Sequence, residues 1–520
     1  MDKKPFEMTR RHLIKATAAS AFVFGMPNVT GCSSLPGYKP TGVENGKALH
    51  LKSASVIDVV CGVVLPGRTL TIRHGIIESV SDLPPVVQEG DRTIDLEHQY
   101  VLPGLIDAHC HATLSGESML SPLGLLTTMN QMKRNYVQQI RQGVTTIRDM
   151  GAMPDLLHDY LTQIARGDLV GPRVVYCNSF TNIYGGHPDI DPAAVSIFAG
   201  MAMAFTGRPN LWFKDTQDLE HKLLQNSARG ASFVKLTMDG VSLLCGKGEI
   251  PAYADEHLKV IFDFAQKNQL STAAHIHTKF GFDRALQFGI GSMEHSIADA
   301  VLTEKEVAAM AKKHIAIVPT MTIAQVLAAP EAYDRLPEKY RTGFVERELA
   351  VRRQFIYETD LRDYTEASIH KNNVDYLANY RKYGCKNLYS RGIYMANPSL
   401  YFDILLTGPR NLLAMKDAGV LIGCGTDAGV PFSYHGTLWR EMEMLGRIGL
   451  GNAEVLRAAT INNAKILGMA DRIGSLEKGK FADCVVLRKN PLENLEACRD
   501  PHMVVSDGLV YDVGEITLTS

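Results

Sequence analysis

Short runs of β-branched and aliphatic residues alternate along this chain with stretches whose apolar positions recur every three or four residues. The apolar runs fall at 101–111, 144–148, 173–180, 233–238, 271–277, 291–295, 315–320 and 420–426. Helical spacing occupies 125–142, 154–166, 218–229, 254–268, 283–288, 303–314, 409–418 and 438–448. The strand runs are apolar throughout rather than alternating, as in strands covered on both faces. Eight strands with a helix after most of them predict an α/β fold, a parallel (β/α)8 TIM barrel. A doubly wound open sheet is the weaker choice, because no GxGxxG opens any of these helices.

The flanks have a different rhythm. Residues 48–102 and 468–520 carry short strands separated by Pro-Gly, His-Gly and Asp-Gly turns, with Asp507-Gly508 reading as a tight hairpin. Together they predict one small β-sandwich domain built from both chain ends, enclosing a barrel at 103–467. Between strands seven and eight, 331–400 is too long for an ordinary connection. It holds nine of the nineteen tyrosines and eight arginines. It reads as a helical insertion, either a lid over the site or a solvated or oligomer-forming helical pair.

Composition narrows the class. The 520 residues are 45% hydrophobic and 21% charged, ordinary globular values. Lys+Arg 54 against Asp+Glu 56 leaves a net charge of −2, so nothing points to nucleic acid. No apolar run reaches the roughly 18 residues that a spanning helix needs. The N-terminus reads as an address. Thr9-Arg10-Arg11-His12-Leu13-Ile14-Lys15 precedes a short apolar stretch that ends at Val29-Thr30-Gly31-Cys32. The paired arginines resemble a twin-arginine export signal. The last four residues resemble a lipoprotein cleavage box, which implies that 1–32 is a signal and that Cys32 carries lipid. Residues 33–47 then serve as a tether. The expectation is a periplasmic or cell-envelope lipoprotein, held to a membrane without spanning it. Eight further cysteines, at 61, 110, 177, 245, 385, 424, 484 and 498, show no CxxC, so free thiols are expected rather than a zinc finger.

The candidate chemistry sits at strand ends. The first strand closes on Pro103-Gly104-Leu105-Ile106-Asp107-Ala108-His109-Cys110-His111. Residues i and i+2 share a strand face, so His109 and His111 can converge on one divalent ion. Lys235 lies on strand four, His275 on strand five, His295 on strand six and Asp427 just after strand eight. In a barrel these ends share one mouth. Burying six such groups unpaired would be costly, and a metal centre supplies the compensation.

These residues resemble the amidohydrolase superfamily, which carries PGLIDxHxH on its first strand, a lysine on the fourth, histidines on the fifth and sixth, and an aspartate on the eighth. Gly185-Gly186-His187, Gly425-Thr426-Asp427-Ala428-Gly429 and Gly479-Lys480-Phe481-Ala482-Asp483 extend the likeness. Val234-Lys235 and Ala274-His275 are most similar to the imidazolonepropionase-like and bacterial prolidase-like group. The resemblance implies two divalent ions, zinc by default. His109, His111 and Asp427 would hold one and His275 and His295 the other, with Lys235 bridging both as an N-carboxylated lysine. Two such ions share and activate a water. Asp427 would take its proton and pass it to the leaving amine, and His187 and His277 would polarise the scissile carbonyl. Pro188 replaces the family's usual glycine after His187. His277 could equally be a supporting partner of a ligand, and His435 is the one further histidine near strand eight.

The expected reaction is hydrolysis of an amide in a dipeptide or N-acyl amino acid. A lactone, ester or phosphotriester hydrolase would use the same centre. Deamination is disfavoured, because the strand-five motif His275-Ile276-His277-Thr278 lacks an acid. A non-catalytic binding protein is disfavoured by the complete ligand set. Arg148, Arg208 and the arginines of the insertion are candidates to meet a substrate carboxylate. Oligomeric state is not legible, and a homo-oligomer stays open.

Overall fold

The strands come in three groups along the chain. The first comprises β1 (Ala48–Asp58), β2 (Val63–Arg73), β3 (Ile76–Ser81), β4 (Arg92–Asp95) and β5 (Tyr100–Pro103). The second comprises β6 (Leu105–Cys110), β7 (Val144–Asp149), β8 (Arg173–Tyr176), β9 (Phe180–Asn182), β10 (Asn210–Trp212), β11 (Phe233–Thr237), β12 (Ser271–His275), β13 (Ser292–Glu294) and β14 (Ala316–Val318). The third comprises β15 (Cys484–Leu487), β16 (Met503–Ser506) and β17 (Leu509–Asp512). The structure is a computed structural model and describes residues 40–43, 46–117, 125–187, 206–240, 250–383, 398–516 and 518. The expected export signal with Cys32, most of the expected tether, Cys245, Cys385 and part of the insertion lie outside the described residues.

The first and third groups join through β5 and β15, where Leu102 pairs with Val485. They form one eight-stranded sheet in the order β17-β16-β15-β5-β1-β2-β3, with β4 beside β1. Hydrogen bonds thus unite all eight strands in a single sheet, where a sandwich would have two. Leu51, Leu70, Val101, Val486 and Val505 give this sheet its own core. Asp507 and Gly508 take φ of 48° and 77° between paired Ser506 and Leu509, the double left-handed turn that a two-residue hairpin needs.

The middle strands are parallel. They form a three-stranded sheet, β6-β7-β8, and a six-stranded sheet, β10-β9-β11-β12-β13-β14. Every residue of β6 and β7 is buried, in accord with their unalternating sequence. The described strands do not register as one closed eight-stranded sheet, but backbone hydrogen bonds stitch the two together. Ser232 donates to Tyr176 on one side. On the other, Ile317 donates to Leu421 and Ala108 donates to Cys424. The expected eighth strand, 420–426, is therefore an extended segment with an isolated bridge from Ile422 to Ile317. Its ladder is interrupted by side chains: Asn463 accepts from the Cys424 N–H at 3.0 Å and donates to the Cys424 and Ile106 carbonyls. A Cβ at Gly425 would stand 2.9 Å from the His109 nitrogen, so glycine permits this close approach.

One helix departs from expectation. The helix expected to start at Pro409 runs from Pro398 to Asp417 with that proline inside it. Burial of Phe402, Leu405, Leu412 and Met415 along one side outweighs the lost hydrogen bond. The described part of the 331–400 insertion is rooted by buried ion pairs. Glu348 accepts from Gln325 at 2.6 Å and from Arg447 at 2.8 and 2.9 Å. Arg352 is bidentate on Glu331 at 3.0 and 3.2 Å.

One arginine ties the parallel sheets to the end sheet. Arg173 on β8 pairs with Asp483 and Asp507, and its guanidinium sits 4.4 Å from the Phe481 ring centroid. Arg173→Met is expected to lower unfolding free energy by about 3 kcal/mol, because it strands the buried Asp483 carboxylate. Denaturant titration at pH 7 checks this, and an unchanged midpoint would show the pair to be idle.

Candidate metal centre

The imidazoles of this site are aimed by what their Nδ1 atoms touch. His109 Nδ1 lies 2.9 Å from Glu294 Oε2. His111 Nδ1 lies 3.0 Å from the Gly151 carbonyl. Both rings are thereby turned so that Nε2 faces Asp427 Oδ1, at 3.4 Å from His109 and 3.2 Å from His111. Burial works against the Asp427 carboxylate, but the two imidazoles outweigh it and hold the group well below the usual carboxylate range. His109, His111 and Asp427 offer one ligand atom each, all within 4.8 Å of one another.

A second cluster with the same spacing is formed by His275, His277 and His295. His275 ends β12, and His295 immediately follows β13. His295 Nδ1 lies 2.6 Å from Thr320 Oγ1, and His277 Nδ1 lies 3.2 Å from the Ser296 carbonyl. Burial, reinforced by neighbouring positive groups, pushes the pKa values of His275 and His295 far below the ordinary histidine value. Burial likewise lowers His277, to about 4. Neutral rings are the ligand form of histidine. The sequence pattern suits His277 to polarising a carbonyl or supporting a ligand; in the structure it is a third ligand-capable ring of this cluster.

Lys235 and His187 complete the assembly. Lys235 is buried on β11, and its Nζ has no hydrogen-bond partner. Burial is the main force lowering its pKa to about 8, while Glu294 and Asp427 pull the other way. Lys235 interacts electrostatically with His187, His275, His277 and His295 as well as with Asp427. The ring of His187 stands 4.7 Å from that of His275, and its Nδ1 is also buried without a partner. His275 Nε2 is a third such atom. Buried polar atoms left without hydrogen-bond partners beside ligand-capable side chains are what a site built for cations presents. The donor set, nitrogen and carboxylate oxygen, suits zinc and similar divalent metals.

Backbone strain concentrates on the same residues. His295, Thr320 and Asp427 have φ of 75°, 44° and 52°, left-handed values that non-glycine residues rarely adopt. Such conformations persist where the surroundings over-determine them.

Several supporting residues escaped the sequence reading. Glu294 bridges His109 to Arg148, whose guanidinium lies 2.6 Å away. Asp239 accepts from the backbone N–H groups of His277 and Thr278, at 2.7 and 3.1 Å, and lies 3.7 Å from His275. Their only sequence signal was an acid at a strand end, beside or shortly after a candidate ligand. Arg148, considered for substrate binding, is 2% exposed and committed to Glu294, Ser292 and the Ala108 carbonyl. Arg208 is exposed and lies 6.0 Å from the Trp212 ring centroid. His435 is buried behind His111, with Nδ1 at 3.1 Å from Gln139, and belongs to neither cluster.

Thr320→Val removes the partner of His295 Nδ1 while nearly preserving shape. It is expected to weaken divalent-ion binding by about 10–100-fold, the usual cost of losing such a partner. Competition against a chelator checks this; affinity equal to that of the unaltered protein would count against His295 as a ligand.

Comparison with known proteins agrees with this geometry. The family model of the amidohydrolase family matches residues 100–510. Ochratoxinase from Aspergillus niger is 22% identical over 480 residues, 87% of this chain and 85% of that protein. Its crystal structure superposes with a TM-score of 0.65, covering 91% of this chain and 98% of that one, at 20% identity. A prolidase complexed with N-methylphosphonate-L-proline gives a TM-score of 0.68 at 21% identity, over 90% of this chain and 100% of that chain. A Xaa-Pro dipeptidase with methionine bound in its active site gives 0.66, also at 21% identity, with the same coverage of 90% and 100%. These structural likenesses speak for the fold. With the family model spanning both ligand clusters, the chain belongs to the amidohydrolase family and is a metal-dependent hydrolase.

Proposed function

We propose that the protein hydrolyses an amide bond in a dipeptide or an N-acyl amino acid, using two divalent ions. The observation that carries this reading is the placement of Lys235. Its unpartnered Nζ is buried within electrostatic reach of Asp427 in one ligand-capable cluster and of His275, His277 and His295 in the other. A lysine there gains a reason once its amine takes up carbon dioxide, because the resulting carboxylate can span two cations. The ions, zinc by default, supply the positive charge that makes water nucleophilic at neutral pH.

The chain's own residues divide the remaining work. Asp427, fixed by His109 and His111, accepts the proton of the attacking water and returns it to the departing nitrogen. His187 lies in the Gly-Gly-His loop against His275 and is held neutral by burial, at about pKa 3. Its free Nδ1 can donate to the carbonyl oxygen as charge develops there. His277 can add to that stabilisation or serve as a ligand. The names of structural neighbours, a prolidase and a Xaa-Pro dipeptidase, support an amide-bond substrate.

Location belongs to the same proposal. The Arg10-Arg11 pair and the Val29-Thr30-Gly31-Cys32 box support export and lipidation at Cys32.

Two outcomes are expected. A library of dipeptides and N-acyl amino acids, followed by mass spectrometry, should yield free amine and acid from a subset of members. Chelation or Asp427→Asn should lower that rate at least 10³-fold. No cleavage by metal-loaded protein would overturn the amidase reading and favour lactones, esters or phosphotriesters. Cys32→Ser should shift the protein from the membrane fraction to the soluble fraction; an unchanged distribution would remove the lipid anchor from the account.

A further inference from the structure

The insertion between β14 and the 420–426 segment touches the two loops that carry His111 and Asp427. Its helix Ala367–Ala378 presents Asn373, which is wholly buried, and His370. Asn373 Nδ2 donates to the Gly116 carbonyl at 2.8 Å and to the Tyr434 hydroxyl at 3.3 Å. His370 lies between that hydroxyl, at 2.9 Å from Nδ1, and the Ile356 carbonyl, at 2.9 Å from Nε2. A carbonyl can only accept, so His370 carries its proton on Nε2. Nδ1 is then an acceptor, and Tyr434 O–H donates to it. The Tyr434 oxygen in turn accepts from Asn373, so every group in the chain has a compatible role.

Each end of this chain leads to a ligand. Gly116 lies five residues after His111 on the segment that follows β6, where Leu114 N–H donates to the His111 carbonyl. On the other side, Ser433, next to Tyr434, donates through Oγ to the Thr426 carbonyl at 2.8 Å, and Gly429 N–H donates to the Ser433 carbonyl. Asp427 lies between those two anchor points. The loops are also pressed together directly: His111 N–H donates to Ala428 at 2.7 Å, and a Cβ on Gly429 would stand 2.6 Å from the His111 carbonyl oxygen.

We propose that His370, Asn373 and Tyr434 are positioning residues, a strap by which the insertion fixes the loops bearing His111 and Asp427 and thereby sets the affinity of that ion site. The proposal rests on the two-ion reading above. The strap acts through the loops, touching neither ion nor substrate. Its effect should therefore be confined to the His109–His111–Asp427 site, leaving the His275–His277–His295 site as it was.

The test uses the full chain loaded with zinc and titrated with a competing chelator. Tyr434→Phe deletes only the hydroxyl. One of the two ions is expected to bind at least 10-fold more weakly, while the other keeps its affinity and the metal-free protein melts within a few degrees of the unaltered one. His370→Leu should behave alike. His370→Gln, which can still donate to Ile356 and accept from Tyr434, should restore tight binding. Wild-type affinity at both ions in folded Tyr434→Phe would overturn the strap, and so would equal losses in His370→Gln and His370→Leu. Asn373→Leu adds a second cut, and Tyr434→Phe decides if that variant fails to fold. Absence of metal from the unaltered protein would overturn the two-ion reading and this proposal with it. Two ions held with unaltered affinity in every folded variant would overturn the strap alone.

Discussion

Holding several imidazoles with their Nε2 edges facing one another, inside a protein, is the demand around which this structure is arranged. Each ring has a second nitrogen that must find a partner, and that partner decides where the first nitrogen points. Glu294, the Gly151 carbonyl, Thr320 and the Ser296 carbonyl fill this role for His109, His111, His295 and His277. The same demand explains the buried Arg148, which balances the Glu294 carboxylate, and the strained backbone at His295, Thr320 and Asp427. None of these groups would be stable alone when buried this deeply.

The legible part of this site was the part that depends on local spacing. His109 and His111 share a strand face by the period of two, and the strand ends named Lys235, His275, His295 and Asp427 without reference to contacts. What stayed hidden depends on pairing between distant segments. Glu294 precedes a ligand in sequence, but its importance comes from β6, where His109 lies, and from β7, where Arg148 lies. Thr320 is an ordinary residue after a strand until His295 reaches it. Arg148 looked available for a substrate because nothing in its neighbours reveals a carboxylate contributed from β13.

The fold shows the same division. Unalternating strands, the Asp-Gly hairpin and the joining of the two chain ends follow from patterns that a few residues carry. The single end sheet and the irregular eighth segment do not. Asn463 lies some forty residues after Cys424, yet it replaces the ladder partners that would have made 420–426 a regular strand. Pro409 would end a helix by local rules, but the burial of one side of Pro398–Asp417 carries the helix through it. The insertion is tied down by Glu348 and Arg352, so its described part forms a wall of the molecule, and through Tyr434 it reaches the loops of the site.

The central claim is that two divalent ions are held by two separate triads with Lys235 among them. Anomalous-difference maps from crystals of the metal-loaded protein test this most directly. Two peaks are expected, one within ligand distance of His109, His111 and Asp427, the other within ligand distance of at least two of His275, His277 and His295, with continuous density extending from Lys235 Nζ toward both. A single peak, or two peaks with a bare lysine pointing away from them, would contradict it.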